Sequence, residues 1–183
     1  MKGPFAPGDR VAVDGAEYTV RRLLGHGKGG YSYLAEGVDG PAVLKQIHHE
    51  PCDYYTFGDK IGAELYDYER LKAAGIPVPE LLAADRLAER LVKEYINGPT
   101  VFELVRDGGD VSPWLVQVRE MAARAKAAGL NIDYFPTNFV VQNSLLWYVD
   151  YECNDYMDRW SFENWGVRYW SRTPEFEAYL EQK

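Results

Sequence analysis

The chain has 183 residues, with 20 lysines and arginines against 28 aspartates and glutamates, for a formal net charge of −8. That balance excludes a nucleic-acid or anionic-membrane partner, since neither would gain counterion release or surface attraction from it. With 26% charged and 46% hydrophobic residues the chain can bury a real core, which excludes disorder and fits one compact domain with two lobes.

Two cysteines, Cys52 and Cys153, are too few for a disulfide framework. Met1–Val13 has no apolar leader segment and no stretch approaches the roughly 18 apolar residues of a membrane span, so a cytoplasmic chain is expected. In chain order, Glu17–Leu24, Tyr31–Glu36 and Ala42–Ile47 read as strands of a small antiparallel sheet, separated by glycine clusters. Phe57–Ala74 has helical periodicity; Gly75 stops it, and Pro77 and Pro79 forbid continuation. Arg90–Ile96 reads as another strand, closed by Asn97-Gly98-Pro99, which makes 1–96 the first lobe and 97–183 the second. Ser112 reads as the N-cap of a helix with Pro113 in its first turn and Gly129 at its end, its apolar face carrying Val118, Met121, Ala122 and Ala125. Phe139–Gln142 and Leu145–Val149 flank Asn143-Ser144 as a hairpin, and the aromatic tail from Asn154 reads as helical.

Three groups of residues carry chemistry. The turn from Leu24 to Tyr31 is rich in glycine, which lets a backbone approach phosphates closely; a plain glycine-rich hairpin turn is the other reading. It is not a Walker A loop, because Gly29 follows Lys28. Lys45 lies on an apolar strand and needs a counter-charge. On a helix of about 100° per residue with Ile61 at zero, Tyr68, Leu65 and Leu71 span about −80° to +40°. Glu64 falls at about −60°, inside that stripe, so it is the acid expected to meet Lys45, unless it snorkels at the helix edge. Asn138 and Asp150 are equidistant from position 144 and so are expected to face each other at the open end of the hairpin, with Asp133 in the loop before them. Carboxylate and amide oxygens suit Mg²⁺ better than Zn²⁺; turn-capping is the alternative role for all three.

Other residues are set aside. His48, His49 and Cys52 hint at zinc, but no second cluster completes four ligands and His26 is on the glycine turn, so a solvated loop is favoured. Trp160, Trp165 and Trp170 are spaced by five and cannot share one helical stripe, so they are expected to pack beneath the second lobe, an exposed aromatic surface for a protein partner or a sugar being the minority reading. Asp53, Asp67, Asp107 and Asp110 read as solvated acids.

Taken together these pieces resemble the α+β protein-kinase-like two-lobed fold, with a small antiparallel sheet lobe and a reduced helical lobe. Within it they are most similar to the Bud32-type kinases and the aminoglycoside and choline kinases. The family's motifs appear in its order: Gly25, Gly27 and Gly30; Val43-Leu44-Lys45; Glu64; the linker strand Leu91–Ile96; Asp133 to Asn138; and Val149-Asp150-Tyr151-Glu152. The resemblance implies ATP and Mg²⁺ as cofactors. Lys45 would hold the phosphates and be fixed by Glu64, and the Glu94 carbonyl and Ile96 N–H would meet adenine. Asp133 would orient the acceptor hydroxyl, while Asn138, Asp150 and Glu152 would hold metal. It implies a phosphotransferase acting on a small molecule or a protein Ser/Thr; the alternative is a nucleotide-binding pseudokinase working through a partner at the aromatic tail, and a third is a protein–protein module. The departures are Asn131-Ile132 before Asp133 in place of His-Arg or His-Gly, Phe135 where protein kinases carry lysine, Lys93 at a usually apolar position, and no Ala-Pro-Glu motif.

Overall fold

The first reversal of the chain is made at Asp14-Gly15, both at positive φ (48° and 80°), the conformation a two-residue hairpin turn demands and that Gly meets without strain. A computed structural model describes residues 4–50 and 58–182. The turn joins β1 (Arg10–Val13) to β2 (Ala16–His26), and β3 (Gly30–Gly37), β4 (Gly40–Ile47), β5 (Leu81–Asp85) and β6 (Arg90–Glu94) complete a six-stranded sheet in the order β1-β2-β3-β4-β6-β5. All neighbouring strands are antiparallel. Arg90 donates from Nη1 to the Ala12 carbonyl at 3.1 Å, and β1 comes back beside β5 and β6, so the sheet curls on itself. Four of these strands, β2, β3, β4 and β6, match the expected ones; β1 and β5 were not expected.

Alternation divides the sheet into two faces. One buries Val11, Val13, Val20, Tyr33, Leu44 and Val92 in a single cluster. The other sets Ile47 and Leu91 against Ile61 of α1 (Lys60–Ala73), with Leu65, Leu81 and Ala84 at the margin. The helix ends as expected: Gly75 takes φ +71° and the Ile76 N–H reaches back to the Leu71 carbonyl at 3.0 Å. Its expected start at Phe57 lies outside the described residues.

The chain divides into two compact units, Met1–Leu65 with Pro79–Tyr95, and Tyr66–Val78 with Ile96–Lys183. The second holds α2 (Val101–Arg106), α3 (Ser112–Ala127) and α4 (Pro174–Glu181). It also holds two antiparallel pairs, β7 (Leu130–Ile132) with β10 (Cys153–Asp155) and β8 (Phe139–Gln142) with β9 (Leu145–Tyr148). Thr100 and Glu103 form a capping box on α2. Ser112 is the first residue of α3, not its cap: Asp110 Oδ1 accepts the Ser112 N–H at 2.9 Å, and bonds to Ser112 hold the Asp110 carboxyl below its usual range. Asp110 is therefore a helix-start ligand and not a free solvated acid. Asp67 is also engaged, accepting the Cys153 N–H at 3.2 Å and pairing with Arg70 at 3.3 Å.

The tail is not one helix. Two 3₁₀ turns, Asp158–Trp160 and Gly166–Tyr169, precede α4. Aromatic residues five apart cannot share a stripe, so separate turns bury Phe162, Trp170 and Phe176, and Trp160 stays 46% exposed. Among the described residues no helix is long and apolar enough to cross a membrane.

The Pro99 carbonyl accepts the Val141 N–H at 3.0 Å, and this brings Gly98 against β8 so closely that a Cβ there would enter the Val141 carbonyl. Gly98→Ala is expected to destabilise the chain by about 2 kcal/mol, read as a lower urea midpoint with an unchanged slope. An unchanged midpoint would contradict this packing.

Candidate functional site

Lys45 stands in β4 opposite Ser32 of β3 and Leu91 of β6, on the face that α1 covers. Its ammonium donates to Glu64 Oε1 at 2.8 Å, and the two side chains are only 12% and 10% exposed. The helical angle that set Glu64 on the apolar stripe thus places it where a counter-charge is needed. A pair this far out of water keeps its geometry because separating it would leave two poorly solvated charges.

The glycine turn lies beside this pair. A bond from the Gly27 N–H to the Gly30 carbonyl, 3.0 Å, closes it. The tight positions are Gly29, whose Cβ would come 3.1 Å from Lys45 Nζ, and Gly30, whose Cβ would enter the Gln46 carbonyl of β4. Gly25 and Gly27 have nothing within 4 Å of a Cβ. Glycine at those two positions answers to no neighbour in the chain.

The hairpin requires a correction. Asn143 and Ser144 both take positive φ (51° and 61°), a two-residue turn, so the ladder pairs Gln142 with Leu145 and Phe139 with Tyr148. Its centre lies between 143 and 144, and Asn138 therefore faces Val149, whose N–H donates to the Asn138 carbonyl at 2.9 Å. The expected Asn138–Asp150 pairing is displaced by one residue. What gathers the acids is Tyr148, which sequence reasoning missed. Its fully buried hydroxyl accepts the Asp133 N–H at 3.3 Å and donates to the Glu152 carbonyl at 2.8 Å. Burial raises the phenol well above its ordinary pKa, and the charges of Asp150, Asp133 and Glu152 push it further. The hairpin's alternation already marked Tyr148 as inward-facing; only its polar end was unread.

The acids are oriented locally. Asp133 Oδ1 accepts the Phe135 N–H at 3.0 Å and Asp150 Oδ1 accepts the Tyr151 N–H at 2.8 Å. Asn138 donates from Nδ2 to the Asp133 carbonyl at 3.3 Å, which turns its Oδ1 the other way. Asp133, Asp150 and Glu152 carry carboxylates and Asn138 an amide oxygen, the hard-oxygen donors that Mg²⁺ takes, and among the described residues these three acids are not a group whose ligand atoms all lie within 4.8 Å of one another. The departures have structural roles: Asn131 is buried, donating to the Trp160 carbonyl at 3.2 Å and accepting the Met157 N–H, and Phe135 packs on Tyr179 and Tyr169. Lys93 is buried in β6 on the Lys45 face. Glu94 ends β6, its N–H on the Glu80 carbonyl at 2.8 Å, and Ile96 is a buried residue of the second unit. His48 and His49 part ways, His49 pairing with Glu89 at 2.7 Å, and Cys52 lies outside the described residues.

No protein-family model matches the chain, and no curated protein matches it in sequence. Among solved structures it is similar to the crystal structure of the BubR1 kinase domain, with a TM-score of 0.58 over 84% of this chain at 16% identity. The chain spans about half of that neighbour, 53% of its length. The fold is protein-kinase-like: a curled antiparallel sheet lobe and a reduced helical lobe, as the motif order implied.

Two stability measurements check the site's framework. Tyr148→Phe strands the Asp133 N–H and Glu152 carbonyl and is expected to cost about 1–3 kcal/mol in urea unfolding; no loss would contradict the hub. A double-mutant cycle with Lys45→Met and Glu64→Leu should return a coupling of about 2–3 kcal/mol, the double variant being more stable than the sum of the singles predicts. Additive losses would show that the pair is not coupled.

Proposed function

We propose that the chain is an ATP- and Mg²⁺-dependent phosphotransferase that moves a phosphoryl group to a hydroxyl of a small molecule or a protein Ser/Thr, in the manner of the aminoglycoside, choline and Bud32-type kinases. The observation that carries this reading is the Lys45–Glu64 pair at 2.8 Å beside a glycine turn. A lysine fixed by an acid from the next helix presents one oriented positive charge to phosphate oxygens, and the chemistry needs positioning and charge neutralisation more than covalent participation. The roles follow the resemblance. Lys45 binds the α- and β-phosphates, and the backbone of Gly25 to Gly30 lies over them. Glu94 and Ile96 meet the adenine through backbone groups.

Asp133 accepts or orients the acceptor hydroxyl's proton, held in place by the Tyr148 hydroxyl on its own N–H and by the Phe135 N–H on its carboxylate. Asn138, Asp150 and Glu152 would hold Mg²⁺, which when bound offsets the charge on the transferring phosphoryl oxygens. The absence of an arginine before Asp133 argues against switching by loop phosphorylation.

A pseudokinase acting through a partner is the second reading. It is favoured by Asn131, which stands in the family's histidine position and serves the backbone of Met157 and Trp160, and by Phe135, which is enclosed by aromatic rings where protein kinases carry lysine.

Thermal melting with millimolar ATP and Mg²⁺ is expected to rise by several degrees, the mass-action stabilisation of a site well above its Kd. Lys45→Met and Asp133→Ala should each lower ATP turnover at least 100-fold, Asp133→Ala keeping the melting shift. A shift without turnover in the natural chain selects the pseudokinase, and no shift with any nucleotide removes both readings.

A further inference from the structure

Three side chains that the function above does not use converge at the glycine turn. His26 ends β2, while His48 and Glu50 follow β4. His26 Nε2 lies 3.1 Å from His48 Nε2 and 3.4 Å from Glu50 Oε2, and all three ligand atoms fall within 4.8 Å of one another. A tetrahedral ion with bonds of about 2.0–2.1 Å has neighbouring ligand atoms about 3.3 Å apart. Two of the three edges of this triangle therefore already have the size of one face of such a site.

We propose that His26, His48 and Glu50 bind a first-row divalent cation of tetrahedral preference, Zn²⁺ foremost, with water in the fourth position. Two imidazoles and one carboxylate are the donors that Zn²⁺ takes and that Mg²⁺ and Ca²⁺ do not select. The ligands are also backed. Tyr31, buried in the sheet, donates its hydroxyl to Glu50 Oε1 at 2.5 Å, which leaves Oε2 toward His26, and its ring stacks on the His26 ring at 4.2 Å. An outer partner of this kind fixes the orientation of a metal-binding carboxylate.

The metal-free chain fills the same space with hydrogen bonds. The Glu50 N–H donates to His48 Nδ1 at 3.1 Å, which assigns the ring proton to Nε2, within 2.9 Å of the Gly27 carbonyl. Metal entry requires the proton to move from Nε2 to Nδ1, which frees the Nε2 lone pair for the ion at the expense of both the Glu50 amide bond and the bond to the Gly27 carbonyl. The contrast is His49, which meets both oxygens of Glu89 at 2.9 and 2.7 Å as an ordinary pair with no third ligand among the described residues. The consequence is mechanical: the ion clips the glycine turn, through His26, to the chain leaving β4. The sequence set His48 beside His49 and Cys52; the side chains that gather with His48 are His26 and Glu50.

The test uses Zn²⁺ in competition with a chromophoric chelator, on the full chain carrying Cys52→Ser so that this thiol contributes nothing. One equivalent should bind, undisturbed by equimolar Mg²⁺. His26→Ala and His48→Ala should each weaken binding at least 10-fold, and Tyr31→Phe about 10-fold with its melting temperature in chelator little changed. His49→Ala should bind as its parent does. Absence of stoichiometric binding, or a His26→Ala/His48→Ala chain that binds as tightly as its parent, overturns the proposal. Neither result touches the phosphotransferase reading, which does not involve these three side chains.

Discussion

The structure turns on keeping one ammonium and one carboxylate together away from water. Lys45 and Glu64 meet at 2.8 Å with about a tenth of each side chain exposed. Such a pair adds little net stability, because desolvation offsets most of the attraction. Its geometry must therefore be imposed by what surrounds it. Ile47 and Leu91 on the sheet and Ile61 and Leu65 on the helix make an apolar contact around the pair, so that β4 and α1 hold their charges at bonding distance. The hydrophobic effect supplies the adhesion, and the ion pair specifies which face of α1 is turned inward.

A similar division of labour recurs in the second unit. Tyr148 is fully buried on β9, and its hydroxyl ties the backbone of Asp133 to that of Glu152. Three acids crowd a buried phenol, which stays protonated and so remains a donor. The segment from Asp133 to Asn138 is fastened on its other side by Trp170, whose indole N–H donates to the Tyr134 carbonyl at 2.8 Å. In this way the aromatic tail, with Phe162, Trp170 and Phe176 inside, serves as the floor of the loop that carries Asp133. Asn131 joins the same floor through Met157 and Trp160, which gives a physical reason for an asparagine there.

Much of this was legible in residue patterns. The alternation of β2, β3 and β4, the stop at Gly75 and the position of Glu64 on its helix all follow from local rules that tertiary packing did not override. Two elements had readable signals that went unused: Asp14-Gly15 announces the β1–β2 hairpin, and Thr100 with Glu103 announces α2. Others had none. β5 is an alanine-containing edge strand with a bulge after Leu81, and β7 and β10 are three-residue strands brought together by packing alone. The hairpin register failed by one because a turn centred on a residue was assumed where two residues make the turn, and a shift of one changes which residues oppose each other. The convergence of His26, His48 and Glu50 was missed for a different reason: strand pairing across β3 unites His26 and His48, more than twenty positions apart.

The most direct measurement of the account asks whether Lys45 meets nucleotide phosphate. An acyl-phosphate derivative of ATP transfers its acyl group to a lysine amine lying against the phosphates, and peptide mass spectrometry locates the product. The account predicts acylation of Lys45 above every other lysine, suppressed by excess ATP with Mg²⁺. Acylation spread evenly over surface lysines, or modification of Lys45 that excess ATP leaves unchanged, would contradict it.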